Sequence, residues 1–181
     1  MLIRRLAECP PVPWRNGGGT TREIYLASDL RVTVAAEQSE AVFSDFSGWS
    51  RTIVPLGDGL SLLLGDRREV AIPAMSGFSF AGSERVRARL AAGPIEAFNI
   101  MTRDGEVTHR PLSLPLAAAP AEHLAAVALF VVRGSLALAG EMLAAGSFAL
   151  VEGRDAHDEM ARIATPPDTH ALAFSIERSS R

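Results

Sequence analysis

Short apolar runs, alternating with polar positions and closed by glycine or proline, recur along the whole chain, and no long stretch keeps a helical period. Leu30, Val32, Val34 and Ala36 alternate with Arg31, Thr33 and Ala35, the pattern of a half-buried strand. Similar runs predict strands at residues 51–56, 60–64, 69–72, 77–81, 86–90 and 95–102, then at 126–133, 135–139, 146–151 and 170–176. Helix is expected only in short pieces, one of them around residues 120–125, where Pro120 can open a turn. Many short strands with glycine punctuation predict an all-β sandwich or jelly roll.

The pattern also repeats. PLGDGLSLLLG (residues 55–65) followed by SGFSFAG (76–82) resembles VVRGSLALAG (131–140) followed by AGSFALVEG (145–153). Each copy reads as strand, glycine turn, strand, second turn and a Gly-Phe or Ser-Phe strand, and small residues in the turns permit tight hairpin geometry. Jelly-roll barrels of the cupin type are built from such hairpins, so the expected architecture is a bicupin, two barrels in one chain. The proline- and alanine-rich stretch RPLSLPLAAAP, residues 110–120, has little strand character and is the expected seam. It would separate a first barrel over residues 1–110 from a smaller second one over 111–181, into which the amino-terminal segment is a candidate to pair.

Composition narrows the function classes. With 48% apolar residues in 181, the chain can bury a sizeable core. Its longest apolar run, residues 124–132, is far short of the roughly 18 residues a membrane span needs. Arg4, Arg5 and Glu8 interrupt the apolar stretch that a secretory signal requires, so the default compartment is the cytoplasm. Cys9 is the only cysteine, which excludes an intrachain disulfide and a multi-cysteine zinc site. The net charge is −3 and the basic residues are scattered, unlike the footprint of a nucleic-acid binder. All 18 of those basic residues are arginine; the absence of lysine removes Schiff-base chemistry and P-loop phosphate binding.

The most unusual segment is VPWRNGGGTTREI, residues 12–24. Ordering three consecutive glycines carries an extra entropic cost, which a functional loop would offset. Bare amides of Gly17, Gly18 and Gly19 could approach a ligand, with Asn16, Thr20 and Thr21 adding neutral hydrogen bonds and Arg15 or Arg22 a fork for a carboxylate. A plain flexible hairpin with exposed charges is the competing reading. Here the chain resembles the HutD/Ves family, whose hallmark PW(K/R)NGGGxTRE is reproduced by Pro13 to Glu23, bringing Trp14 and Glu23 into the candidate site. The stretch from Asp29 to Leu62, GFSFAG (77–82) and GPIEAFNIMTRDG (93–105) are similar to further family segments. The likeness covers about the first 105 residues. In GWSRT, Ser50 stands where the family often has an acidic residue before the arginine. The resemblance implies a bicupin fold, a role in regulating histidine utilisation and a pathway intermediate such as N-formylglutamate or urocanate as ligand. It implies no established enzymatic activity.

Strand parity adds a reading of its own. Asn99, Met101 and Arg103 project to one face of their strand and Phe98, Ile100 and Thr102 to the other, so the first set suits the wall and mouth of a ligand-holding barrel. Arg51 lies in an otherwise apolar strand and, if buried, needs a partner such as Glu23 or a bound anion. Cupins commonly bind metals through a His-x-His pair, and none occurs; His109, His123, His157 and His170 are isolated, and the tripeptide HDE at 157–159 reads as a solvated loop. NGGG resembles the oxyanion glycines of some esterases, but no G-x-S-x-G elbow exists.

The expectation is therefore a cofactor-free and metal-free binding protein for a small anionic or amide-bearing metabolite, with no nucleic-acid or membrane partner. Its candidate ligand residues are Trp14, Arg15, Asn16, Gly17, Gly18, Gly19, Thr20, Arg22, Glu23, Arg51, Asn99 and Met101. A homodimer is compatible with the sequence. The alternative is a metal-independent, isomerase-like cupin enzyme using Glu23 or a histidine as general base, and a third reading is a protein-interaction module.

Overall fold

The computed structural model describes residues 1–65, 67–90, 93–114, 124–153 and 155–179. The strands follow the alternation. In chain order they are β1 (Leu2–Arg5), β2 (Pro11–Pro13), β3 (Gly19–Leu26), β4 (Leu30–Glu37), β5 (Trp49–Pro55) and β6 (Leu60–Leu64). Then come β7 (Arg68–Ile72), β8 (Phe78–Ala81), β9 (Val86–Arg89), β10 (Ile95–Arg103) and β11 (Val107–Leu112). The last third holds β12 (Ala126–Arg133), β13 (Ser135–Leu138), β14 (Glu141–Ala144), β15 (Ser147–Glu152), the helix α1 (Asp155–Ala161) and β16 (His170–Arg178). Contacts divide the chain into two units, Cys9–Glu106 and the combination of Met1–Glu8 with Val107–Arg181.

The Cys9–Glu106 unit is a jelly-roll sandwich of a six-stranded sheet, ordered β2-β3-β4-β10-β5-β8, and a three-stranded sheet, β7-β6-β9. Every pairing is antiparallel. Ile53, Ile95 and Ala97 of the larger sheet meet Leu60, Leu62, Leu64, Ile72, Val86 and Ala88 in one core. The period of two then matters further along the same strands, because Asn99 and Met101 share the face of Ile95 and Ala97, and Arg51 shares that of Ile53. One sheet face therefore passes from a packed apolar end to a polar end.

In the other unit the five-stranded sheet β1-β15-β12-β16-β11 stands with the hairpin β13-β14. Val127, Leu129 and Val131, alternate residues of β12, pack with Leu136, Leu138, Leu143, Met160 and Ile163. The sequence echo has a topological counterpart: β5 pairs with β8 while β6 pairs with β7, as β12 pairs with β15 while β13 pairs with β14. Between β15 and β16 lies α1, where the first unit has β9 between β8 and β10.

Three expectations need correction or limits. HDE at 157–159 lies in α1, with His157 Nδ1 buried, and not in a solvated loop. The stretch expected to lack strand character begins inside β11, where Arg110, Pro111 and Leu112 pair with Ser175, Phe174 and Ala173. Proline is tolerated because β11 is an edge strand with one side free of ladder partners. The helix expected around residues 120–125 and most of the seam fall outside the described residues. No helix among the described residues is long and apolar enough to cross a membrane.

The connection between β4 and β5 is pinned by backbone bonds from Phe43 N to Val86 O, from Phe46 N to Gly82 O and from Gly82 N to Trp49 O. A Cβ on Gly82 would lie 2.2 Å from Phe46 O and 2.7 Å from Trp49 O. We therefore expect Gly82→Ala to lower unfolding stability in urea by about 1–3 kcal/mol, as overpacking does. Gly57→Ala, whose added carbon meets nothing within 4 Å, should stay within about 0.5 kcal/mol of the parent.

Candidate functional site

A cavity of about 490 Å³ opens at the polar end of the Cys9–Glu106 sandwich. That size suits a small metabolite. Its walls come from one face of the six-stranded sheet: Thr21 and Glu23 on β3, Arg31, Thr33, Ala35 and Glu37 on β4, Asn99 and Met101 on β10, and Arg51 on β5. The rest of the lining is Val12 and Pro13 of β2, the β2–β3 loop, with Trp14, Arg15 and Asn16, and the β4–β5 connection, with Phe43 and Phe46.

Arg51 is the buried cation of this cavity, 6% exposed. Its guanidinium lies over three phenyl rings, 5.1 Å from Phe43, 5.3 Å from Phe46 and 5.0 Å from Phe80. Cation–π attraction offsets part of the desolvation cost. Nη2 donates to Asn99 Oδ1 at 3.3 Å, and Asn99 is itself held by donating from Nδ2 to Ala97 O at 3.2 Å. Nε of Arg51 has no hydrogen-bond partner. Burial lowers the Arg51 pKa to about 10, with the field of Glu37 working against that fall, so the group stays charged at neutral pH.

Glu37 is the counterpart. It is 1% exposed, and its Oε2 is buried without a hydrogen-bond partner. Burial raises its pKa to about 7, and the positive charge of Arg51 restrains the rise. Nearer the mouth, Arg31 pairs with Glu23 at 3.5 Å and lies 5.1 Å from the centre of the Phe46 ring, while its buried Nε is also unpartnered. Leaving a buried donor or acceptor unmet costs about 1–3 kcal/mol, and three residues that line this cavity each carry such an atom.

Of the residues expected from the sequence, Trp14, Arg15, Asn16, Glu23, Arg51, Asn99 and Met101 line the cavity, as does Thr21. Gly17, Gly18, Gly19, Thr20 and Arg22 do not belong to its lining. The amides expected to face a ligand are engaged within the loop: Gly17 N donates to Trp14 O at 3.0 Å and Gly18 N to Asn16 Oδ1 at 3.1 Å. The glycines serve geometry instead. Gly17 has φ +71°, and a Cβ on Gly19 would sit 2.4 Å from Ala36 O. Thr20 and Arg22 alternate with Thr21 and Glu23, which places them on the opposite face; Arg22 donates to the Cys9 carbonyl. Trp14 is fixed by its Nε1 donating to Thr21 Oγ1 at 2.7 Å. Arg103 donates to Ser28 O and stacks on Trp49, away from the cavity wall.

The expected pairing of Arg51 with Glu23 is corrected: Glu23 meets Arg31, and the carboxyl whose field acts on Arg51 is Glu37. Sequence reasoning missed Glu37, Arg31, Thr33 and the phenyl rings. The signal was present, because Arg31, Thr33, Ala35 and Glu37 continue one parity of the alternation. The metal common in cupins has no fitting donor set: among the described residues no three His, Cys, Asp or Glu side chains come together.

Two jelly-roll units, with a cavity in the first built on a buried arginine and carboxyl, define a bicupin with a polar pocket. The profile of the HutD family matches residues 6–168, and the chain belongs to that family. It is 33% identical over 109 residues to an uncharacterised 21.2 kDa protein in the hutC 3′ region of Pseudomonas putida. The alignment covers 56% of this chain and 57% of that protein, so the chain spans little more than half the length of this curated relative. The fold is similar to HutD from Pseudomonas fluorescens SBW25, solved in a formate condition, with TM-score 0.80 and 22% identity over 99% of each chain. A conserved protein of unknown function from Pseudomonas aeruginosa PAO1 gives 0.79 and 21%, over 97% of this chain and 98% of that one. Ylba from E. coli, at 8% identity, gives 0.62 over 96% of this chain and 85% of that one.

The raised pKa of Glu37 carries a stability consequence. A carboxyl that binds its proton more tightly when folded stabilises the fold fully below its unfolded pKa of about 4.5, and this contribution is lost as pH rises through about 7. Stability should thus fall between about pH 4.5 and 7 in the ligand-free protein. Glu37→Gln should flatten that slope, and urea titrations across the pH range will show it.

Proposed function

We propose that the first barrel is a receptor site for a small carboxylate of histidine utilisation, N-formylglutamate or urocanate, and that the protein acts as a ligand-binding regulator and not as a metalloenzyme. The family, and the hutC-linked position of one relative, tie the chain to histidine utilisation. The carrying observation is Arg51, a buried guanidinium caged by phenyl rings, with an unpartnered Nε on a cavity of metabolite size. Three arginines against two carboxyl groups line that cavity, a balance that favours an anion.

A charge-assisted hydrogen bond contributes about 1.5–3 kcal/mol, which corresponds to roughly 10- to 150-fold in affinity. Calorimetric titration with N-formylglutamate, urocanate, formate and glutamate should show binding of at least one, and Arg51→Met should weaken it by about that factor. Absence of heat and of thermal stabilisation with all four at millimolar concentration contradicts the reading.

One observation favours the alternative, a metal-independent isomerase-like enzyme. Glu37, with a pKa of about 7, is poised to act as a general base, although no histidine lines the cavity. A carbon-acid reaction would exchange ligand C–H for deuterium. Incubation of N-formylglutamate or urocanate with the protein in D2O, followed by proton NMR, should leave the ligand signals intact if the site only binds; protein-dependent loss of a C–H signal would establish the enzyme.

A further inference from the structure

The unmet atoms of the cavity are of two kinds. Arg51 Nε and Arg31 Nε are donors, whereas Glu37 Oε2 is an acceptor. A simple anion such as formate answers the donors alone. It leaves the carboxyl of Glu37, 1% exposed, without a partner and repels it whenever it is ionised. The complement of the whole set is a molecule that carries a carboxylate and, apart from it, an N–H. We infer that Glu37 is the specificity-determining residue of the cavity: its buried carboxyl, which lines the cavity and has one oxygen without a partner, accepts an N–H from the ligand whose carboxylate lies on Arg51. This rests on the anion-binding reading of Arg51 given above and adds what that reading lacks, a reason why one carboxylate is chosen over others.

Position supports the assignment. Glu37 ends β4, opposite Gly19 on β3 and Ile95 on β10. The apolar core begins at Ile95, which places Glu37 at the inner, apolar end of the polar face. Gly19 has no side chain to cover it, and a Cβ there would approach the backbone of Ala36 and Glu37. The other charged groups of the cavity are Glu23 on β3, Arg31 on β4, Arg51 on β5 and Arg15 in the β2–β3 loop, while β10 contributes only the neutral Asn99 and Met101. Glu23 is occupied by Arg31, so Glu37 is the carboxyl left for a ligand. Its pKa near 7 makes the discrimination pH-dependent, since the ionised carboxylate is the stronger acceptor.

The test uses matched probes with and without the N–H. N-formylglutamate is compared with glutarate, and urocanate with 3-(2-furyl)acrylate, by calorimetry on the full-length protein at pH 6, 7 and 8. In at least one pair the N–H compound should bind at least tenfold more tightly at pH 8, with the advantage shrinking toward pH 6. Glu37→Gln, whose amide oxygen is an uncharged and weaker acceptor, should shrink the advantage and abolish its pH dependence, while the N–H-free mate binds as tightly or more tightly at pH 8 once the negative charge is gone. The two pairs separate an amide from an imidazole donor. If both members of each pair bind equally in the wild-type protein, the role of Glu37 is refuted and anion binding at Arg51 stands. An advantage that keeps its pH dependence in Glu37→Gln refutes it too. No binding by any of the four overturns the receptor reading and this inference with it. The wild-type comparison needs no variant, so a folding defect in Glu37→Gln does not blunt the test.

Discussion

Holding the guanidinium of Arg51 inside the first barrel is the constraint on which the rest of that unit depends. A charge at that depth demands compensation, and four neighbouring segments supply it. Phe43 and Phe46 come from the β4–β5 connection and Phe80 from β8, so the charge is faced by ring quadrupoles and not by hydrocarbon alone. Asn99 offers an oxygen from the adjacent strand, and Glu37 supplies a compensating field. The close approach of Gly82 to Phe46 and Trp49 keeps that connection against the sheet. Removing Arg51 alone would leave Glu37 buried without its counter-charge, which is why the two are best understood as one device.

The same sheet face serves two purposes because its parity is unbroken. Ile53, Ile95 and Ala97 pack the core, and a few residues further along the strands the same face presents Arg51, Asn99 and Met101 to the cavity. The hallmark loop contributes by shape more than by hydrogen bonding to a ligand. Its glycines close a turn and let β3 lie directly on β4, and its side chains Trp14, Arg15 and Asn16 supply part of the wall. Membership of the HutD family places this arrangement in a group related to histidine utilisation.

Most of the fold was legible in the chain. The strands at 60–64 and 126–133 lie where alternation put them, and others differ by a residue or two at their ends. Strands without that signal escaped: β1 and β14 are four-residue strands, β2 and β11 carry proline, which reads as a breaker unless the strand is known to lie at a sheet edge, and β3 opens with the glycines of the hallmark loop. The site was half legible. Arg51 and Asn99 stood out as polar residues among apolar neighbours, whereas Glu37 lay one position beyond the predicted strand. Alternation gives two faces and does not say which is inside; the polar face of β4 turned out to line a cavity. Glycine misled for a related reason, since a sequence does not distinguish an amide offered to a ligand from one bonded within its own turn.

What occupies the cavity between Arg51 and Glu37 decides whether the first barrel is a carboxylate receptor. A crystal structure of the protein grown with N-formylglutamate, and a second with urocanate, tests it most directly. In at least one of them, a ligand carboxylate should lie within hydrogen-bonding distance of the Arg51 guanidinium and a ligand N–H on a Glu37 carboxyl oxygen. Ligand found only elsewhere on the molecule, with water alone between Arg51 and Glu37, would contradict it.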